Sequence, residues 1–337
     1  MTSFQSEPII DSSPPEKRYS RKFLFILIAF CLLVSGIALA LNYKTKDISL
    51  IKTQPPKERQ DHQQSQPEEE FNPLPTAQAG RFNVLLLGIR GADDIKDGGL
   101  LTDTMLMVSI DKLTGRIILT NIPRDLYINM LGVRGKINQA YENGLAQNKG
   151  LALVSEIVSR ISGVYIDKAV VFDFEAFKGI VDTLGGIDIN LDKPFKEPTQ
   201  WGYEFSLPAG NNHLTGEQAL YYTRSRYSSS DFDRSRRQQE VITAIKSKAL
   251  TAGYLSNPVT VSNLLANLSD HIKTNFKIWD ISELLTLGSS LKQSSIKRVV
   301  ISTDNVLNQT FTTGGEYILV PKAGNYKEIQ ALFQNLS

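Results

Sequence analysis

The spacing of apolar side chains divides the chain into stretches of different character. From Phe23 to Leu41, FLFILIAFCLLVSGIALAL runs for 19 residues without a charge, about the length of a helix that crosses a hydrocarbon core. Asn42 to Gly80 is the opposite: Gln, Glu, Pro and Lys dominate, Pro55-Pro56 and Glu68-Glu69-Glu70 fall within it, and little apolar surface is available for burial. Such a composition predicts a linker, and as a coil it would span about 35 Å.

Apolar patterning resumes at Arg81. Asn83 to Ile89 (NVLLLGI) predicts a strand buried on both faces. Thr104 to Asp111 (TMLMVSID) and Arg116 to Ile122 (RIILTNI) predict two more, joined by a turn at Lys112 to Gly115. Leu151, Val154, Val158 and Ile161 recur at helical spacing, and a strand-like Ala169 to Phe172 follows the break at Gly163. Glu175 to Leu184 reads as a helix closed by Gly185-Gly186, with a strand at Ile187 to Leu191. Thr215-Gly-Glu-Gln218 has the form of a capping box opening a helix through Tyr222, and Asp231 is placed to cap a longer one reaching about Leu250. Further helical patterning from Val259, with strands at Ile296 to Ser302 and Tyr317 to Val320, completes the same domain. Interleaved strands and helices predict an α/β fold over residues 81–337, a mostly buried central sheet with helices on both faces.

Charge adds an orientation. Lys17, Arg18, Arg21 and Lys22 precede the apolar run, against Lys44, Lys46 and Asp47 after it, so the basic excess places the N-terminus inside. The expected protein is single-pass in the cell membrane: a cytoplasmic tail (1–22), a membrane helix (23–41), a linker (42–80) and an extracytoplasmic domain. Ala38-Leu39-Ala40 leaves a cleaved signal peptide open as the competing reading. A net charge of +2 from 37 basic and 35 acidic residues gives no global sign of nucleic-acid binding. A domain held outside the cytoplasm argues in the same direction. The only cysteine, Cys31, lies in the apolar run, which excludes an intramolecular disulfide, a cysteine-rich zinc site and a soluble thiol nucleophile.

The chemistry must therefore come from oxygen and nitrogen groups. Tyr221 to Glu240 (YYTRSRYSSSDFDRSRRQQE) concentrates Arg224, Arg226, Arg234, Arg236 and Arg237, a guanidinium density that suits an oxyanion partner. If Tyr222 to Tyr227 is extended, Arg224 and Arg226 share a face. If Asp231 starts a helix, Arg234 and Gln238 share its stripe, Arg236 points elsewhere and Arg237 sits at the border. A solvated arginine face is the alternative. Arg124, in Asn121-Ile-Pro-Arg-Asp125, follows a strand terminus where α/β proteins commonly place ligand-binding groups, although a surface Arg124–Asp125 arrangement would use the same residues. Asp103 follows a Gly-rich acidic loop holding Asp93, Asp94 and Asp97. Carboxylates grouped in this way suit Mg²⁺, which takes one or two protein carboxylates plus phosphate oxygens; an ordinary Asp/Gly turn is the alternative.

The motifs IPRDLY, KINQAY (Lys136 to Tyr141), DTLGGIDI and LTGEQALYYTRSRYSSSDFDRSRRQQ resemble, in order and spacing, the LytR-CpsA-Psr family, across essentially all of residues 81–337. The resemblance implies a phosphotransferase that moves glycopolymers from a polyprenyl pyrophosphate carrier to peptidoglycan with the assistance of Mg²⁺. It matches the family's pyrophosphate-binding groups to Arg124, Arg224, Arg226, Arg234 and Gln238, its helix-start aspartate to Asp231 and a metal-side aspartate to Asp103. Asp103, Arg124, Asp231 and Arg234 become the expected catalytic set. Two positions depart from the pattern: Leu101 stands where the family has an arginine, and Arg90 where it has an aspartate. Asp93 or Asp94 is then expected to join Asp103 around the cation, with Arg90 assisting phosphate binding. For the prenyl tail, Phe172, Phe174, Phe177, Ile180, Val181 and Leu184 are available as an apolar groove, although helical spacing by itself predicts ordinary core. A binding module that holds a lipid phosphate or wall polymer without turnover uses the same pocket and is the second reading.

Overall fold

Alternation along the first strand sets the layers of the molecule. In the computed structural model, which describes residues 73–91, 98–251, 268–277, 280 and 296–334, β1 (Arg81–Gly88) directs Phe82, Val84 and Leu86 to one face of a sheet and Leu85 and Leu87 to the other. Every residue of β1 after Arg81 is buried, as its unbroken apolar run requires. β1 pairs antiparallel with β2 (Thr104–Asp111), Gly88 opposite Thr104, and β2 pairs antiparallel with β3 (Ile117–Asn121). The predicted strand nucleus is therefore present, with its strands adjacent.

After β3 come a hairpin of β4 (Tyr127–Met130) and β5 (Val133–Lys136), then helices α1 (Ala140–Ala146) and α2 (Leu151–Ser162). β6 (Lys168–Phe172) joins the sheet parallel to β1, and α3 (Phe174–Thr183) follows. Gly185 and Gly186, at φ 72° and 84°, turn the chain into β7 (Ile187–Leu191). A side chain at Gly186 would meet the ring of His213. Next come the hairpin of β8 (Phe195–Glu197) and β9 (Phe205–Leu207), β10 (Gly210–Leu214) paired with β7, and helices α4 (Gly216–Arg224) and α5 (Asp231–Thr251). The described C-terminal elements are β11 (Ile272–Thr274), β12 (Ile296–Val300), β13 (Leu307–Phe311), β14 (Tyr317–Pro321) and α6 (Lys327–Gln334).

The central sheet has the order β11-β6-β1-β2-β3-β12 and is mixed, β12 running parallel to β3 and β11 antiparallel to β6. One face is covered by α3, α4 and α5 through Phe177, Val181, Leu220, Val241 and Ile245. The other is covered by α1, α2 and α6 through Tyr141, Val154, Ile157, Ile329 and Phe333. Helices on both faces match the expected sandwich, and β12, from the C-terminal part, lies at the edge of the same sheet.

Local signals behave as expected in some places and not in others. Thr215 forms the predicted capping box with Gln218, but the helix it opens continues past Tyr222 to Arg224. Tyr222 to Tyr227 is therefore not extended, because the helix hydrogen-bond ladder carries on to Ser225, whose amide donates to the Tyr221 carbonyl. Asp231 does not cap α5. The capping oxygen is Ser230 Oγ, which accepts from the Asp233 amide at 3.1 Å while the Asp233 carboxylate accepts the Ser230 amide at 3.2 Å. The predicted membrane span, the linker as far as residue 72, and the loop bearing Asp93, Asp94 and Asp97 lie outside the described residues. Most of the helical patterning after Val259 lies there too. Among the described residues no helix is long and apolar enough to cross a membrane.

Candidate functional site: an arginine-rimmed cleft

Strand polarity brings the candidate residues together. β1, β3 and β6 end, and β2 begins, at one edge of the sheet, since Gly88 lies opposite both Thr104 and Phe172 and Asn121 opposite Leu106. Residues just beyond those ends, Arg90, Asp103, Arg124 and Phe174, open onto a single cleft. This is the carboxyl end of the parallel strands, the usual ligand edge of open α/β sheets. Arg224 from the end of α4, Arg226 from the following turn, and Arg234 and Gln238 from α5 close it from the helical side. Arg124, Arg224, Arg226, Arg234, Gln238 and Arg90 thus converge on one cavity of about 230 Å³.

Arg124 sits between carboxylates. Its guanidinium donates to Asp103 Oδ1 at 2.5 Å, with Asp125 Oδ2 at 3.6 Å and Asp231 Oδ1 at 3.8 Å. Burial alone would weaken its hold on the proton, but Asp103, Asp231 and Asp125 outweigh burial and raise its pKa above the ordinary arginine value. Arg234 is almost fully buried and bonds Asp231 Oδ2 at 2.8 Å, while its Nε has no hydrogen-bond partner among the described residues. Because Ser230 supplies the helix cap, the Asp231 carboxylate is free to serve both arginines. Gln238 is fixed by donating to Thr104 Oγ1 at 2.9 Å and accepting from Asn121 Nδ2 at 3.1 Å, which ties α5 to the ends of β2 and β3.

Arg224 and Arg226 differ in having no carboxylate partner among the described residues. The Arg224 guanidinium lies 4.1 Å from the Phe174 ring centre and 5.0 Å from that of Trp201. Burial, with Arg90 and Arg226 nearby, pulls its pKa below the ordinary value, and Asp103 only partly offsets this. A half-buried cation held by ring faces and crowded by other cations is stabilised by an arriving anion. Arg236 instead pairs with Asp233 on the surface. Arg237 is not at the border of the cleft: it is buried, and bonds the Tyr222 and Ser225 carbonyls and Ser229 Oγ, holding the α4–α5 connection.

Inward from the arginines the cleft is apolar, lined by Leu86, Leu106, Phe172, Phe177, Leu220 and Ile242. Of the predicted groove, Phe172, Phe174 and Phe177 line it. Ile180, Val181 and Leu184 do not: Val181 and Leu184 are buried and Ile180 packs against them in the core, because the rest of the α3 stripe faces the sheet. Gln200 and Trp201 also line the cleft and carry no periodic or motif signal, whereas Tyr227, which lines it too, falls within the arginine-rich motif.

Mg²⁺ needs one or two protein carboxylates beside phosphate oxygens. Among the described residues no cluster of three or more His, Cys, Asp or Glu could cage an ion. Asp103 gives Oδ1 to Arg124 and leaves Oδ2 without a described partner, on a side chain 29% exposed at the cleft. One open carboxylate oxygen beside an anion site fits a cation that keeps its waters and takes phosphate oxygens. Leu101 turns back in a tight loop, its amide bonded to the Gly98 carbonyl, and lies outside the cleft lining, whereas Arg90 lies within it.

Comparison with known proteins gives a consistent picture. The model of the LytR_cpsA_psr family matches residues 47–335. A polyisoprenyl-teichoic acid–peptidoglycan teichoic acid transferase, TagU of Enterococcus faecalis, is 31% identical over 60% of this chain and 64% of its own length. TagV of Bacillus subtilis, named for the same activity, is 26% identical over 75% of this chain and 64% of its own length. This chain therefore spans somewhat under two thirds of either relative. The crystal structure of B. subtilis TagV superposes with a TM-score of 0.60, covering 77% of this chain and 97% of that one at 26% identity.

Proposed function

Because the chain belongs to the LytR-CpsA-Psr family, we propose that it transfers a phosphate-linked glycopolymer from a polyprenyl pyrophosphate carrier to a peptidoglycan hydroxyl. The observation that carries this reading is the juxtaposition, in one cleft, of an arginine-rich mouth and an apolar interior. A lipid pyrophosphate has the same two parts. The cavity is smaller than pockets that enclose a drug-sized ligand, so it takes the diphosphate and the first part of the tail, with the rest of the lipid outside. The names of TagU and TagV support the glycopolymer and the wall acceptor.

In this mechanism Arg124, Arg224, Arg226 and Arg234 bind the diphosphate oxygens, and Arg90 assists from the position where the family has an aspartate. The acceptor oxygen forms a bond to the glycopolymer-side phosphorus as the bridging P–O bond breaks, and polyprenyl phosphate leaves. Charge develops on the transferred group and on the leaving phosphate, so preorganised guanidiniums act mainly by electrostatics and positioning. Asp231, beside Arg124 and Arg234 and partly exposed, is the carboxylate placed to orient the acceptor hydroxyl and take its proton. Mg²⁺, when bound through Asp103, supplies further charge neutralisation at phosphate oxygens. The membrane span predicted at residues 23–41 would keep this cleft at the outer membrane surface, where both substrates are found.

The test uses the full chain in detergent with a polyprenyl-pyrophosphate-linked glycopolymer and a peptidoglycan fragment. Wild type should release polyprenyl monophosphate and label the acceptor, with Mg²⁺ dependence lost in Asp103→Ala. An Asp93→Ala, Asp94→Ala double variant that keeps full Mg²⁺ dependence would remove both from the ligand set. Tight binding of the pyrophosphate without any turnover would point to a binding module instead.

A further inference from the structure

Arg224 and Arg226, which have no carboxylate partner among the described residues, are gripped by a turn that precedes them by two strands, β9 and β10. Gly202, at φ 77°, closes the turn Thr199–Gly202 between β8 and β9, its amide donating to the Thr199 carbonyl at 3.1 Å. The turn presents two side chains to the end of α4. Gln200 bonds backbone on both sides of Ser225, donating Nε2 to the Arg224 carbonyl at 3.0 Å and accepting the Arg226 amide on Oε1 at 2.7 Å. Trp201 donates Nε1 to Ser225 Oγ at 3.3 Å. Its indole stacks on Tyr221 at 4.6 Å and 14°, and it forms, with Phe174, the pair of rings around the Arg224 guanidinium.

We propose that Gln200 and Trp201 are positioning residues that fix Arg224 and Arg226 for diphosphate binding, an inference that rests on the transferase reading above. Arg124 and Arg234 are aimed by ion pairs to Asp103 and Asp231. A carboxylate beside Arg224 or Arg226 would compete with the ligand, whereas ring faces and backbone bonds orient a guanidinium and leave its N–H edge open. Gln200 pins the backbone at both arginines, and Trp201 fixes the plane of the Arg224 head group.

The experiment measures affinity of the full chain in detergent for farnesyl pyrophosphate by calorimetry, in a thermodynamic cycle of Trp201→Ala, Arg224→Ala and the double variant. Trp201→Ala should weaken binding about tenfold, and in the Arg224→Ala background the same change should do almost nothing, because a residue acting through Arg224 is non-additive with it. Trp201→Phe, which keeps a ring over the guanidinium, should recover most of the loss. Gln200→Ala should weaken binding in the same way and be non-additive with Arg226→Ala. In a Trp279→Phe background, emission from Trp201 should respond to farnesyl pyrophosphate and cease to respond when Arg224 is replaced. Equal effects of Trp201→Ala with and without Arg224, or a Trp201→Phe variant as weak as Trp201→Ala, would overturn the proposal while leaving the transferase reading intact. A wild type that does not bind farnesyl pyrophosphate would overturn both.

Discussion

Arg124 occupies the place where the demands on single residues are sharpest. It lies between Asp103 and Asp231, so removing it takes the proposed phosphate ligand away and also leaves two carboxylates without the cation between them. Arg124→Ala should reduce transfer by about 10²–10³-fold, the usual cost of losing one preorganised donor to a charged transition state. Arg124→Lys should recover little, since a point charge cannot bond Asp103 and reach Asp231 as a planar fork does. Single-turnover rates check both, and a thermal midpoint close to wild type for Arg124→Lys would locate the loss in the site rather than the fold. Residue type announced this role: an arginine after a strand-ending proline is readable in sequence. The identity of its partners was not, because Asp103 and Asp231 reach it from other elements.

Among elements, the start of α5 shows how a local choice serves the site. Serine and aspartate both make good caps, and the sequence reading expected Asp231 in that place, with Ser230 beside it in the chain. Tertiary placement resolves the choice, since only Asp231 faces Arg124 and Arg234. Ser230→Ala should destabilise the protein by about 1 kcal/mol at neutral pH. Its dependence on acid follows from Asp233, whose carboxyl is held below the usual carboxylate value first by the Ser230 hydroxyl, then by the Ser230 amide and Arg236, against a smaller opposing effect of burial. A depressed folded-state pKa contributes stability that is present above the unfolded value of 3.8 and lost as pH falls through the folded one. Thermal unfolding should therefore show wild type and Ser230→Ala converging below about pH 3.8; a constant gap across that range would refute the coupling. The α3 stripe gives the complementary lesson. Helical periodicity marked Phe177, Ile180, Val181 and Leu184 alike as apolar-facing, and only the position of the sheet edge lets Phe177 line the cleft as well as the core, while the others lie in the core alone.

At the scale of the whole molecule, the cleft, the linker and the predicted span form one proposal about location. A reporter fused after Asn42 should be extracytoplasmic, as the basic excess before Phe23 requires, and release of the mature chain cut after Ala40 would support the signal peptide instead. The sequence by itself determined the apolar run, the strands β1 to β3, the helices α2 and α3, the capping box at Thr215 and the arginine-rich segment. Each of these is written in contiguous residues, through period, capping chemistry or charge density, and contiguous patterns survive without knowledge of the fold. Tertiary structure alone decided the strand order, the antiparallel placement of β2 that brings Asp103 to the ends of β1 and β3, and the turn that carries Gln200 and Trp201 to Arg224. Those contacts join residues tens of positions apart, and no local period records which distant element a side chain will meet. The arginines were legible because charge is costly to bury and therefore conspicuous. Their supports were not, because a glutamine and a tryptophan in a surface turn look like any others until the backbone brings them to the end of α4.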